Sequence, residues 1–155
     1  MTVEEAKEIL SDQLDKGTYC LVCGQHAQRY WRTICGYQAY LLIRLYKLTC
    51  QKRKIWFHIT DIYETKGGSY GSFSKLKYWK LIEERPKHPK KDTRTSGYWK
   101  ITDRGIRYVL GKIRLKKYTV TYNEKCERYD GEFVGIKESL GKKFSYAELM
   151  SGYLE

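Results

Sequence analysis

A chain of 155 residues with 41% apolar side chains and no low-complexity repeat is long enough to bury a core, which excludes a disordered or fibrous protein. Its most apolar run, Tyr40 to Leu48, is broken by Arg44 and too short for a bilayer; the acidic start Thr2-Val3-Glu4-Glu5 is the opposite of an export signal, so a cytoplasmic location away from membranes is expected. The net charge of +12 is concentrated: residues 75–117 carry 15 Lys and Arg against 4 Asp and Glu, and the other 112 residues are close to neutral, a distribution that suits a polyanion-binding face.

In chain order, residues 3–15 read as a short helix. Thr2 can cap it, Glu5 completes a capping box, and Val3, Ala6, Leu10 and Leu14 form its apolar stripe before Gly17 stops it. Thr18 to Gln25 follows as a knuckle-like turn around Cys20 and Cys23. A second helix is expected over 36–51, with Tyr37, Leu41, Leu45 and Leu48 on one face and Tyr40, Arg44, Lys47 and Gln51 on another. Ile55 to Ile59 is bulky and β-branched enough for a strand. Thr60 or Asp61 can then cap a helix to about residue 66, broken by Gly67-Gly68, and another helix spans about 69–80.

Residues 86–97 form a polar, lysine-rich loop between Leu81–Arg85 and the strand Tyr98–Ile101. Thr102-Asp103-Arg104-Gly105 opens a helix through Leu110. Lys117–Tyr122 alternates as a strand, turns at Asn123-Glu124-Lys125 and returns over 126–129. Two short helices are expected around 136–140 and 146–150, the second capped by Ser145 with Glu148.

The five cysteines (20, 23, 35, 50 and 126) are an odd number in a chain read as intracellular, so reduced thiols or a metal site are expected over a disulfide framework. Cys20-x-x-Cys23, with His26 three residues on, is half of a zinc site. Cys35, Cys50, Cys126 or a second chain would have to supply the rest, and a pair of free thiols is the plainer alternative. No cofactor is required by any other motif.

From Gly36 to Leu110 the order is helix, strand, helix, helix, strand, basic loop, strand, helix. With Tyr78-Trp79-Lys80-Leu81-Ile82-Glu83 and Gly97-Tyr98-Trp99-Lys100-Ile101-Thr102-Asp103-Arg104-Gly105, this half of the chain resembles the winged helix-turn-helix superfamily. In that superfamily the recognition helix ends in a leucine-isoleucine step into the wing, and the return strand meets a threonine-x-x-glycine helix start. Lys80 departs from the pattern, because many members carry glycine before the leucine. The chain also resembles small winged-helix proteins of bacteriophages, which would place it in a host cytoplasm. The expected fold is therefore α+β: an N-terminal helix and cysteine knuckle (1–35), a winged-helix domain (36–111), and a C-terminal β-hairpin with short helices (112–155).

The resemblance implies duplex DNA binding, as a transcriptional regulator or an accessory factor on DNA, through a recognition helix near 69–80 and a basic wing near 86–97. At 100° per residue, Phe73, Leu76 and Lys80 project to one side of that helix. Gly71, Ser74, Lys75 and Tyr78 project to the other, with Ser72 and Lys77 on the flanks. Ser72, Ser74, Lys75, Lys77 and Tyr78 are thus the candidate contacts of the helix, and Lys87, His88, Lys90, Lys91 and Arg94 those of the wing. Lys112, Arg114, Lys116 and Lys117 either extend this footprint or serve as a solvated edge strand.

Other signals are weaker. Gly68-Ser69-Tyr70-Gly71 matches a bare KH-type glycine-x-x-glycine, and His58, Asp61 and Glu64 could be imagined as nuclease ligands, although Asp61 as a helix cap is simpler. No acid-base pair, nucleophile elbow or phosphate loop appears, so no enzymatic activity is expected. Two other readings stay open: a winged helix that binds a partner protein, which 15 tyrosines and 4 tryptophans would suit, and an RNA or single-strand binder with stacking platforms. A homodimer through the terminal segments is plausible, but no heptad seam marks one.

Overall fold

A computed structural model describes residues 1–63, 70–87, 89 and 96–154, and only the backbone of Tyr70 and Gly71. The protein is α+β, with small sheets, and divides into two units. One comprises Met1–Thr33 with Lys116–Glu132, the other Ile34–Leu115 with Phe133–Glu155. The division differs from the expected 1–35, 36–111 and 112–155 because long-range strand pairing joins the N-terminal segment to the hairpin. Among the described residues no helix is long and apolar enough to cross a membrane.

In the first unit, α1 (Val3–Gln13) starts from the expected capping box. Thr2 Oγ1 accepts from the Glu5 N–H at 3.1 Å, and the Thr2 N–H donates to Glu5 Oε2 at 2.9 Å. Of the expected apolar stripe, Ala6 and Leu14 are buried, whereas Val3 is exposed. β1 (Thr18–Tyr19) and β2 (His26–Ala27) form a minimal antiparallel hairpin around the two cysteines. The Cys20 sulfur accepts from the N–H groups of Cys23 and Val22 and meets the Cys23 thiol, which together hold its pKa below the ordinary thiol value. β3 (Tyr30–Arg32), β7 (Leu115–Tyr122) and β8 (Lys125–Val134) make a three-stranded sheet with β7 in the middle. Asn123 and Glu124 both take left-handed φ, as a two-residue hairpin turn requires. Arg29 ties the end of α1 to β8 through Asp15 at 2.9 Å and Glu127 at 2.7 Å.

The second unit is built on α2 (Gly36–Lys52), which buries Ala39, Leu41, Leu42, Ile43 and Leu45. After it come β4 (Phe57–His58), α3 (Ile59–Ile62), α4 (Tyr70–Ser74), a 3-10 helix (Lys75–Trp79), β5 (Ile82–Glu84), β6 (Tyr98–Ile101) and α5 (Asp103–Val109). The strands form an antiparallel sheet in the order β4-β6-β5. α6 (Ile136–Leu140) and α7 (Tyr146–Leu149) complete the unit; Ser145 caps α7 as expected, accepting from the Glu148 N–H at 3.4 Å.

Two local expectations change. β4 is shorter than 55–59 because α3 already starts at Ile59, and the cap is neither Thr60 nor Asp61. His58 caps it, with Nδ1 accepting from the Thr60 N–H at 3.3 Å, so Asp61 lies within the first turn. Arg44 closes the other end of α3, donating to the Ile62 carbonyl at 2.7 Å.

α5 is anchored at both ends. Its cap Thr102 accepts the Gly105 N–H at 3.0 Å, and glycine is required at 105 because a Cβ there would lie 2.3 Å from the Leu81 carbonyl oxygen. Near its C-terminus Tyr108 is fully buried and hydrogen-bonds Ser139 of α6. Burial pushes the Tyr108 hydroxyl from 10 up to about 12. Folding therefore favours the neutral phenol: this contribution is fully present below the unfolded value and is lost as pH rises towards the folded one. Over that window about 2–3 kcal/mol of stability should disappear at 1.36 kcal/mol per unit. Chemical denaturation of the wild type and Tyr108→Phe between pH 9 and 12 checks this, the variant being expected to show a shallower fall, while Tyr146, also raised by burial, still contributes to it.

Candidate nucleic-acid interface

The segment expected as one helix over 69–80 changes its period part-way. α4 ends at Ser74 and the chain tightens into the 3-10 helix, where residues three apart eclipse one another. Three stripes result. Leu76 and Trp79 face the core at 0% and 1% exposure, Lys77 and Lys80 are both exposed, and Lys75 lies above Tyr78. Tyr78 is only 7% exposed, so its expected role as a base-reading side chain is corrected: at 120° per residue, rather than 100°, it turns into the protein. Its ring instead carries two cations, the Lys75 and Lys77 ammonium groups lying 5.9 and 5.6 Å from its centroid. Lys80, expected inward beside Leu76, points outward for the same reason. Ser72, Ser74 and Lys75 are half-buried, so Lys77 and Lys80 are the fully presented cations of this segment.

Lys80 also ends the helix. It adopts the left-handed conformation, φ 62° and ψ 30°, with its N–H bonded back to the Leu76 and Lys77 carbonyls. This explains the glycine expected there: a lysine can occupy the cap, at a conformational cost.

On the wing side Lys87 is exposed, whereas His88, Lys90, Lys91 and Arg94 lie outside the described residues. The strands present a group that sequence reasoning missed. The register sets Ile82 against Ile101 and Glu84 against Trp99, which puts Glu83, Lys100, Tyr98 and His58 on the opposite face of the sheet. Arg85 continues that face: its N–H donates to the Tyr98 carbonyl at 3.0 Å, and its guanidinium stacks 4.1 Å from the Tyr98 ring centroid. His58 meets the same ring edge-on at 5.0 Å. The period-two alternation that aligns Arg85 with Tyr98 was readable only with the register, which the intervening loop hides.

Several cations of the basic stretch are engaged elsewhere. Lys100 pairs with Glu83 at 3.4 Å, Arg114 with Glu138 at 2.7 Å, and Arg104 donates to the Trp79 carbonyl at 2.9 Å. Lys112 is exposed, and Lys116 and Lys117 are half-buried on β7. At the cysteine knuckle, and elsewhere among the described residues, no three His, Cys, Asp or Glu side chains gather as a metal-holding group. Asp61 and His58 serve α3, and Glu64 and the Gly68-Ser69 step lie outside the described residues.

The chain matches no protein-family model, no curated protein sequence and no solved structure.

The revised faces predict opposite outcomes for neighbours. Tyr78→Ala should cost roughly 2–4 kcal/mol in a thermal or urea melt, as a buried aromatic does, whereas Lys77→Ala should cost under about 0.5 kcal/mol. Equal costs would contradict the 3-10 register. Lys80→Gly should raise stability by about 1 kcal/mol by relieving the left-handed backbone. A lowered melting temperature would show that the Lys80 side chain supplies more than the cap costs.

Proposed function

We propose that this protein binds duplex DNA as a winged-helix module, in the role of a transcriptional regulator or an accessory DNA factor. The observation that carries the reading is the sheet order β4-β6-β5, preceded by α2 and interrupted by α3, α4 and the 3-10 helix. In this order the return strand β6 lies between the strand before the helices and the strand after them, the arrangement expected of a wing. Residues 75–117, from the 3-10 helix through α5 to the start of β7, carry 15 Lys and Arg against 4 Asp and Glu and so hold nearly all of the chain's excess positive charge.

The chemistry divides by position. Lys77 and Lys80 project from the turn that follows α4, where a helix entering the major groove would flank phosphates. Arg85, stacked on Tyr98 and so already ordered, would contact the backbone or the minor groove with little further loss of side-chain freedom. Lys87 is exposed and would add a further phosphate contact, and Lys90, Lys91 and Arg94 add positive charge to the same stretch of sequence.

The test is competition among duplex DNA, single-stranded DNA and RNA at two salt concentrations. Duplex should win, and its log affinity should fall linearly with log salt. The double variant Lys77→Glu, Lys87→Glu should weaken binding to all duplexes and reduce the salt slope by about 2, about one for each phosphate no longer neutralised. Unchanged affinity of that variant at moderate salt, or preference for a single strand, would overturn the reading.

A further inference from the structure

Where α5 ends, the segment 110–114 runs past α6 and α7 and leaves a groove of about 370 Å³ in the second unit. That volume lies within the range of about 300–1,000 Å³ that small-molecule sites occupy. Its apolar surface comes from Leu110, Ile113, Ile136 and Leu154, with the Tyr146 ring beside them. The walls are tied to one another. Tyr108, fully buried near the end of α5, hydrogen-bonds Ser139 of α6, and the Tyr146 hydroxyl of α7 donates to the Val109 carbonyl at 2.6 Å. Gly111 keeps the floor low, since a Cβ built there would meet nothing within 4 Å. The groove is thus formed in advance, which lowers the ordering cost of a ligand that enters it.

The charged groups of the lining are Arg114, Lys137 and Glu138. Arg114 is held in place by two bonds, to the Phe133 carbonyl at 3.1 Å and to Glu138 Oε1 at 2.7 Å. Both bonds leave from Nη2, so among the described residues its Nε and Nη1 donors have no protein acceptor. Those two nitrogens present the planar fork that matches a carboxylate. The Lys137 ammonium lies 5.4 Å from the Tyr146 ring centroid and borders the same space. Glu138 offsets one of the two cations, so the lining carries a single excess positive charge. One anionic head is therefore matched, a dianion is not, and a neutral ligand would leave the oriented fork unused.

We propose that this groove binds a small organic monocarboxylate with a compact apolar body, its carboxylate on Arg114 and Lys137 and its body against Ile113, Ile136 and Tyr146. The apolar body removes the exposed surface of the groove from water, and the carboxylate accepts from a guanidinium that Phe133 and Glu138 have already oriented. Such a ligand is free and small, and the site is separate from the cations assigned to DNA.

The experiment titrates the full-length protein, without DNA, with 4-phenylbutyrate and with its neutral amide, followed by amide-resolved NMR. The acid should bind saturably with a dissociation constant of about 1 mM or below, shifting the amides of 110–114 and 135–138, and the amide should bind at least about tenfold more weakly. Arg114→Gln should remove that preference for the acid. Should Arg114→Gln fold poorly, Leu154→Glu keeps the fork, alters a half-exposed side chain, and should weaken the acid at least about tenfold by placing an anion in the groove. Equal binding of acid and amide, shifts that map elsewhere, or an unchanged affinity in either variant overturns the proposal. A peptide ending in a free phenylalanine carboxylate, titrated alongside, should bind no better than the acid. Tighter binding of the peptide would mean that the groove takes a protein C-terminus, and would overturn the assignment to a small ligand. Because no arm contains DNA, failure here leaves the proposed DNA binding untouched.

Discussion

Thr102 bonds three consecutive pieces of the second unit to one another, and the candidate interface is aligned by those bonds. Its N–H donates to the Leu81 carbonyl at 3.0 Å, its hydroxyl donates to the Lys80 carbonyl at 2.6 Å, and the same oxygen accepts from the Gly105 N–H. The last turn of the 3-10 helix, the entry to β5 and the start of α5 are therefore all bonded to one residue. Arg104 adds a bond to the Trp79 carbonyl, and the bare Cα of Gly105 lets α5 come down onto Leu81. The left-handed conformation of Lys80 follows from this arrangement: the chain must reverse within one residue to carry Leu81 and Ile82 into the sheet while leaving its carbonyl facing Thr102. A junction of several hydrogen bonds, packed at Leu81 and Gly105, holds the exposed Lys77/Lys80 stripe against the strands more firmly than single surface ion pairs could.

Charge alone overstates the interface. Of the cations between residues 75 and 117, Lys100 and Arg114 are partly neutralised by Glu83 and Glu138, and Arg104 is used inside the junction. Among the described residues, Lys77 and Lys80 on one stripe, Arg85 against Tyr98, Lys87, Arg107 and Lys112 remain exposed. The aromatic partners matter as much as the charges. The Tyr78 ring lies within cation–π reach of the Lys75 and Lys77 ammonium groups, and the Tyr98 ring stacks against the Arg85 guanidinium.

Much of this was legible in the residues because it is local. Thr2 with Glu5 and Ser145 with Glu148 mark helix starts through side-chain bonds three residues long, and Thr102 with Gly105 does the same. What escaped depends on period or on distance in the chain. The tightening from α-helix to 3-10 helix at Lys75 leaves no composition signal, yet it moves Tyr78 from the surface to the core and Lys80 the other way. His58 caps α3 although histidine is an uncommon cap, which the more usual Thr60 and Asp61 beside it obscured. Arg85 joins Tyr98 only once the strand register is known, and pairing of Tyr30 with Thr121 across some ninety residues, which joins the N-terminal segment to the hairpin, has no local signature at all.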